Sequence, residues 1–176
     1  MPNFDPLTYR YSSRRNVVYA KNGVCCTSVP LGAQVGLDVL KNGGNAVDAA
    51  VAMAGAMPLL EPTGNGLGSD CFALVWIEKE KKLYGLNASG VAPMALSADE
   101  VRAKGFSEVP EEGWIPTMVP GAPTGWAALN RRFGTKPLSE LFAPAISYAE
   151  NGYAVPVNVG KLWARDSKRI ARVMAQ

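Results

Sequence analysis

A helix of small side chains constrains the fold of this chain more than any other feature. The segment "AVDAAVAMAGAM", residues 46–57, consists of alanine, valine, methionine and glycine apart from Asp48. Small residues on every side let neighbouring backbones approach closely, so we predict that this helix is buried between other elements. Asn45 is placed to cap its N-terminus, and Asp48 lies in the first turn, where the helix dipole favours a negative charge.

The residues before this helix predict a hairpin and a first helix. Residues 17–19 and 23–27 are apolar or β-branched and are separated by an Asn-Gly pair, which predicts two short strands. Further along, Ala33, Gly36, Leu37 and Leu40 recur on one helical face. The Gly43-Gly44 pair then ends that helix, because glycine can take the left-handed conformation of a C-cap.

A glycine-rich loop follows the small-residue helix. The stretch "EPTGNGLGSDCF", residues 61–72, holds three glycines between two apolar stretches. The next strand is apolar on both faces, as in the middle of a layered sandwich, and after a charged turn at residues 78–81 a second strand returns over residues 83–86. Glycine is used where the backbone takes positive φ or where another group comes very close. This loop, centred on residues 64–68, is therefore the first candidate site.

Four further helices are predicted in the second half of the chain. Ser97 and Glu100 form a capping box before a short helix closed by Gly105, and the next helix stops at Gly134. In the helix of "PLSELFAPAISYAENGY", Pro144 either divides the helix or begins its main part. The last helix, from "VNVGKLW" onward, reaches Gln176 with no C-cap signal, so we expect a larger protein to continue beyond it. Together, these helices and strands predict a layered α/β or α+β protein.

Composition excludes several kinds of site. The 176 residues contain no histidine, which rules out a Ser-His-Asp triad, a Cys-His pair or a histidine-ligated metal within the chain. The net charge of +3 comes without a basic run interleaved with aromatics, so nucleic acid is not an expected partner. The three cysteines lack the spacing of a zinc site, and we expect reduced thiols and no metal or other cofactor. No stretch has the length of a signal peptide or membrane span, which predicts a cytoplasmic protein without a membrane partner.

The remaining candidates are weak when taken one at a time. The glycine loop lacks the Gly-Lys-Ser/Thr of a P-loop and follows a helix instead of a strand, so a nucleotide site is disfavoured. Glu61, Asp48 and Asp70 offer carboxylates for acid–base chemistry, but nothing in their spacing brings them together, and a capping or ion-pairing role is favoured for each. Cys71 opens an apolar strand, which favours a buried structural thiol.

Several stretches together resemble the γ-glutamyltranspeptidase family. They are "SVPLGAQVGLDVLKNGGNAVDAAVA", "EPTGNGLGSDCFALVW", "LNASGVAP" and "MVPGAPTGWAALNRRFGTKPLSELFAPAISYAENGYAV", whose order and spacing fit from about Gly23 to the end. The "LNASG" variant is similar to the transpeptidase-like and cephalosporin-acylase-like branch. The chain resembles the N-terminal part of the large subunit, a single partial domain over residues 1–176.

The resemblance implies an N-terminal nucleophile hydrolase, an α+β protein with an αββα sandwich of which this chain is the N-terminal portion. A precursor of this kind cuts itself into a large and a small subunit, and the small subunit begins with a threonine that attacks a γ-glutamyl or related amide. The α-amino group of that threonine is the expected base, so no histidine is needed. No catalytic residue is then expected in this chain. Its expected partners are a small-molecule amide substrate, the small subunit and, as a possibility, further copies of itself.

The resemblance also selects substrate-binding candidates. Family members carry an arginine three residues before an Ala-Pro pair, where it binds the glutamyl α-carboxylate. Alignment on Ala92-Pro93 puts Ala88 or Ser89 there, and we select Ser89, which cannot supply a bidentate guanidinium. We add Asn65, Gly66 and Gly68 of the glycine loop. Another cation, such as Arg14 or Arg15, remains an alternative, and so does a non-catalytic, metabolite-binding member of the family.

Overall fold

The structure is a computed structural model that describes residues 17–174. Six helices and one two-stranded antiparallel sheet form the described part of the chain, so the fold is of the α+β type. The elements, in chain order, are α1 Pro30–Lys41, α2 Ala46–Leu60, β1 Cys71–Ile77, β2 Lys82–Ala88, α3 Ala98–Ala103, α4 Ala122–Phe133, α5 Leu138–Asn151 and α6 Val157–Met174. A single 3-10 turn, Glu78–Glu80, joins the two strands.

Helix α2 forms the centre of the packing, as its small side chains predict. It contacts α1, α4 and α5, and Val51, Ala52, Ala56 and Leu60 on it are almost completely buried. The side chain of Asn45 accepts a hydrogen bond from Asp48 N, while the Asp48 carboxylate accepts one from Asn45 N, which completes the predicted cap. Each large apolar side chain buried in this way contributes about 1.5–3 kcal/mol.

The sheet has one covered face and one open face. Strands β1 and β2 pair from Cys71 opposite Ala88 to Ile77 opposite Lys82. Helix α4 packs against the strands, where a Cβ at Gly125 would lie 3.0 Å from Cys71 Cβ. On the other face, Phe72, Leu74 and Trp76 are each more than half exposed. The described residues therefore cover one face of β1, whereas the prediction was that both faces are covered.

Two other predictions are changed by the structure. The two strands expected at residues 17–19 and 23–27 are wrong, because this segment has no strand conformation. Its apolar side chains, including Val18 and Val24, are largely exposed, and an isolated two-stranded hairpin without a packed face is marginal. Pro144 neither divides nor begins a helix, since α5 runs through it from Leu138 to Asn151.

The predicted ends of α1 and α3 and the predicted cap of α3 are confirmed. Gly43 takes φ +81° after α1, and Gly105 takes φ +86° after α3. Ser97 and Glu100 form the capping box of α3. None of the helices within residues 17–174 combines the length and hydropathy needed to cross a bilayer.

Candidate functional site

Ser89 lies directly after β2, at a point where three segments of the chain meet. Its side chain is half-buried. Ser89 N donates a hydrogen bond to Asn87 Oδ1 at 3.0 Å, and Ser89 Oγ donates one to Gly90 O at 3.2 Å. These local bonds fix the direction in which the chain leaves the strand.

The segment before α4 crosses the end of β2 at very short range. Val119 N donates to Val91 O at 3.0 Å, so the two segments run side by side. A Cβ added at Gly121 would lie 2.1 Å from Ala88 O, and one added at Gly90, where φ is +78°, would lie 2.1 Å from Val119 O. Only glycine fits at these two positions, because no side chain can occupy that space.

The glycine loop, residues 61–70, joins the same crossing through its last residues. Ser69 O accepts hydrogen bonds from Gly121 N at 3.1 Å and Ala122 N at 2.8 Å, where α4 begins. Ser69 Oγ donates to Gly66 O at 2.6 Å. Ser89 and the C-terminal end of the glycine loop are therefore neighbours of the same residue, Gly121.

The first half of the glycine loop is held by Glu61, the C-cap of α2. Gly64 N and Asn65 N both donate to Glu61 O at 3.1 Å. Of the predicted site residues, Asn65 is thus placed at the Glu61 end of the loop, whereas Ser89 lies at the Gly121 end. Their role in substrate binding remains a prediction.

The structure does not show the positive φ or close approach that was expected at the glycines of the loop. Neither Gly66 nor Gly68 has positive φ. An added Cβ would meet nothing within 4 Å at Gly68, and only Gly68 N at 4.0 Å when placed on Gly66. Beside Ser89, the close approach that requires glycine occurs at Gly90 and Gly121 instead.

Two of the three candidate carboxylates, Asp48 and Glu61, lie far apart. Asp48 is in the first turn of α2 and Glu61 follows its last turn, so the length of the helix, about 20 Å, separates them. Asp70 is exposed at the start of β1. An acid–base pair between Asp48 and Glu61 is therefore excluded by position.

Asp48 instead joins the start of α2 to the turn between α4 and α5. Its fully buried carboxylate accepts bonds from Thr135 N at 2.9 Å, Thr135 Oγ at 2.5 Å and Lys136 N at 3.2 Å, besides the cap bond from Asn45 N. Burial opposes ionisation, but the bonds from Thr135, Asn45 and Lys136 outweigh it and lower the pKa of Asp48. The sequence predicted the cap, but no local signal indicates partners 87 and 88 residues away.

Cys25 and Cys71 have the environment of structural thiols. All three are free, and Cys25 and Cys71 are partly buried. Burial raises the pKa of Cys25, and burial together with the negative charge of Asp70 raises the pKa of Cys71. A raised pKa disfavours the reactive thiolate, which agrees with the structural role predicted for Cys71.

An apolar groove of about 550 Å³ borders the glycine loop on the helical side of the sheet. Its lining includes Gly66, Leu67, Trp126 and Phe142, and the rings of Trp126 and Phe142 pack edge to face with their centroids 6.0 Å apart. Within residues 17–174 no group of three or more acidic, cysteine or histidine side chains could hold a metal ion. Arg14 and Arg15, the alternative cations, lie outside the described residues.

Comparison with known families matches most of the chain. The family model described as gamma-glutamyltranspeptidase matches residues 32–176. Among curated relatives, the glutathione hydrolase proenzyme of Bacillus subtilis (strain 168) is 30% identical over 171 residues, which cover 94% of this chain and 29% of the relative. The chain thus spans less than a third of the length of this relative.

Two solved structures extend the comparison to the fold. A cephalosporin acylase from Bacillus halodurans is 56% identical and superposes with a TM-score of 0.86, over 96% of this chain and 31% of the acylase. The γ-glutamyltranspeptidase of Helicobacter pylori is 31% identical with a TM-score of 0.82, over 89% of this chain and 46% of that chain. The fold of the described residues is therefore that of the corresponding part of these proteins.

Proposed function

This chain belongs to the γ-glutamyltranspeptidase family, and from that premise we propose that it is the N-terminal part of the large subunit of an N-terminal nucleophile hydrolase. The complete protein transfers or hydrolyses acyl groups from γ-glutamyl or related acyl amides. Its likeness to both a transpeptidase and an acylase over nearly the whole chain carries this proposal. The curated relative is named a proenzyme, which supports a precursor that is processed into two subunits.

The proposed reaction places the nucleophile outside residues 1–176. A threonine at the N-terminus of the small subunit attacks the carbonyl carbon of the amide, and its own α-amino group takes the hydroxyl proton. The amide C–N bond breaks, the proton passes to the leaving amine, and an ester joins the acyl group to the threonine. Water or an amino acid then attacks this ester, which releases the acid or a new amide and restores the threonine.

The open face of the sheet supports the proposed αββα sandwich. Phe72, Leu74 and Trp76 project from β1 to solvent, and Leu83 on β2 is also more than half exposed. An apolar face of this extent is usually covered by another layer. We propose that a second sheet, formed by the region of the precursor outside this chain, packs on this face.

The identity of residue 89 affects which acyl groups the proposed enzyme binds. In the proposed enzyme it occupies the place where the family carries an arginine for the α-carboxylate of a γ-glutamyl group. A serine hydroxyl provides at most one neutral hydrogen bond there, and its donor is already used for Gly90 O. We therefore propose an acyl specificity in which the α-carboxylate contributes little to binding.

The test uses the purified full-length precursor and three chromogenic anilides. The γ-glutamyl anilide carries both α-groups, the glutaryl anilide lacks the amino group, and the 4-aminobutanoyl anilide lacks the carboxylate. We expect self-cleavage, turnover of at least one anilide, and less than a tenfold difference in kcat/KM between the γ-glutamyl and 4-aminobutanoyl substrates. A precursor that stays intact and hydrolyses none of them refutes the proposed enzyme and favours a metabolite-binding role.

A preference of a hundredfold or more for the γ-glutamyl over the 4-aminobutanoyl anilide would refute only the specificity. That ratio corresponds to a strong charged contact with the carboxylate, worth roughly 1.5–3 kcal/mol. Another cation would then supply the contact in place of Ser89.

A further inference from the structure

Glu61 joins three segments with a single carboxylate oxygen. Its Oε2 accepts a hydrogen bond from Ser28 Oγ at 2.6 Å and another from Asn65 Nδ2 at 3.1 Å. Ser28 lies just before α1, Glu61 just after α2, and Asn65 in the glycine loop. The side chain thus connects the loop to the two helices that pack behind it.

The backbone of Glu61 adds to the same contact. Glu61 O accepts bonds from Gly64 N and Asn65 N, and also from Asn65 Nδ2 at 3.3 Å. The side-chain amide of Asn65 therefore donates to both Glu61 Oε2 and Glu61 O, and the Asn65 backbone N–H also donates to Glu61 O. Side chain and backbone of Asn65 are fixed together at the start of the loop.

The chemistry of these partners determines how the Asn65 amide is oriented. An ionised carboxylate and a backbone carbonyl are both acceptors only, so the amide must turn its NH₂ group toward Glu61. Asn65 Oδ1 then points away from Glu61. In this orientation the loop presents an acceptor, which suits a substrate that carries an N–H or ammonium donor.

We propose that Glu61 is a positioning residue for the acyl substrate, acting through Asn65 of the glycine loop. This inference rests on the proposed function, since it requires that the loop lies in the substrate site. Because both side-chain bonds end on one oxygen, the charge of Glu61 is not needed for them. A glutamine at this position can keep both bonds with its amide oxygen, whereas an alanine loses both.

The experiment compares variants of the full-length precursor in steady-state kinetics with an acyl anilide that the wild type turns over. Glu61→Ala is expected to raise KM about three- to tenfold, the range of one or two net hydrogen bonds, with kcat within twofold. Glu61→Gln is expected to stay within twofold of the wild-type KM. Ser28→Ala, which removes the other bond to the same oxygen, serves as the matched control and should leave KM unchanged.

A double-mutant cycle tests whether Glu61 acts through Asn65. If it does, the Glu61→Ala/Asn65→Ala double variant raises KM no more than the worse single variant. Hydrogen exchange at residues 62–70 should increase in Glu61→Ala and not in Glu61→Gln. If Glu61→Ala fails to fold, KM is measured for Asn65→Ala, which removes the same bond from the loop side, and is compared with KM of Glu61→Gln.

The outcomes separate this inference from the function on which it rests. A wild type without activity on any acyl amide refutes the proposed function. An active wild type refutes the positioning role alone if any of three results is found: unchanged KM in Glu61→Ala or Asn65→Ala, a glutamine variant as impaired as the alanine one, or additive effects in the cycle. A KM increase in Ser28→Ala equal to that of Glu61→Ala also refutes it, because the effect would then come from the helix junction.

Discussion

Adding one methyl group at Gly121 should disrupt the crossing that positions Ser89. Gly121 has φ −87° and ψ −37°, a conformation open to any residue, so Gly121→Ala introduces no backbone strain of its own. Its Cβ, however, would lie 2.1 Å from Ala88 O and 2.5 Å from Gly90 N. Both neighbours are backbone atoms, which cannot move aside by rotating a side chain.

The size of the effect follows from these distances. To bring the Cβ contact to about 3.2 Å, the two segments must separate by about 1 Å, and overpacking of this kind costs about 1–3 kcal/mol. The same shift weakens the bonds from Gly121 N and Ala122 N to Ser69 O, each worth about 0.5–1.5 kcal/mol. Together the losses reach about 2–6 kcal/mol.

Thermal unfolding of the precursor measures this loss, and Gly68→Ala provides the matched control. At about 2–4 °C per kcal/mol, the value for a domain of about 150–250 residues, we expect Tm to fall by about 4–24 °C for Gly121→Ala, together with lower activity. Gly68→Ala places its Cβ in open space and should change the free energy of unfolding by less than about 0.5 kcal/mol. Equal Tm values for the two variants would refute the reasoning, because the crossing at Gly121 would then tolerate a side chain.

Two other substitutions test the buried carboxylate and the specificity residue. Asp48→Ala leaves several buried donors unpaired and should cost about 3–5 kcal/mol in urea unfolding, whereas exposed Asp99→Asn should change stability by less than about 0.5 kcal/mol. Because folding lowers the pKa of Asp48, the stabilisation by its carboxylate is fully present above the unfolded pKa of about 3.9 and is lost as the pH falls through the folded pKa. If the difference in the free energy of unfolding between the wild type and Asp48→Ala stayed the same at lower pH, this would be contradicted. Ser89→Arg should raise kcat/KM for the γ-glutamyl anilide up to about tenfold to a hundredfold and less for the 4-aminobutanoyl anilide, and an equal change for both would show that residue 89 does not contact the α-carboxylate.

Local signals in the sequence predicted most of the helices and both strands. Capping residues such as Asn45 and Ser97 act within one turn, so their pattern is visible in a short window. The strands expected before residue 28 are absent because strand formation depends on more than the local sequence. A strand needs a partner, and the Asn-Gly pair does not supply a face on which the hairpin could pack.

The candidate site was only partly predictable because its contacts join distant segments. The glycine loop and Ser89 were selected from the sequence, but the structure assigns the close backbone approach to Gly90 and Gly121. Nothing in "EPTGNGLGSD" indicates that Ser69 bonds to the start of α4, about fifty residues further along the chain. The "VPG" that contains Gly121 indicates a loop before α4 and is part of the family resemblance, but no local pattern indicates its close contact with the end of β2.

The central proposal is that the nucleophile of this enzyme is a threonine outside residues 1–176. The direct measurement is to mix the purified mature protein with an acyl anilide, quench the reaction in acid while the acyl-enzyme is populated, and map the added mass by peptide mass spectrometry. We predict that the acyl group is attached to an N-terminal threonine of a second subunit and that no peptide from residues 1–176 is modified. An acyl group on a residue of this chain, or turnover by residues 1–176 alone, would contradict the account.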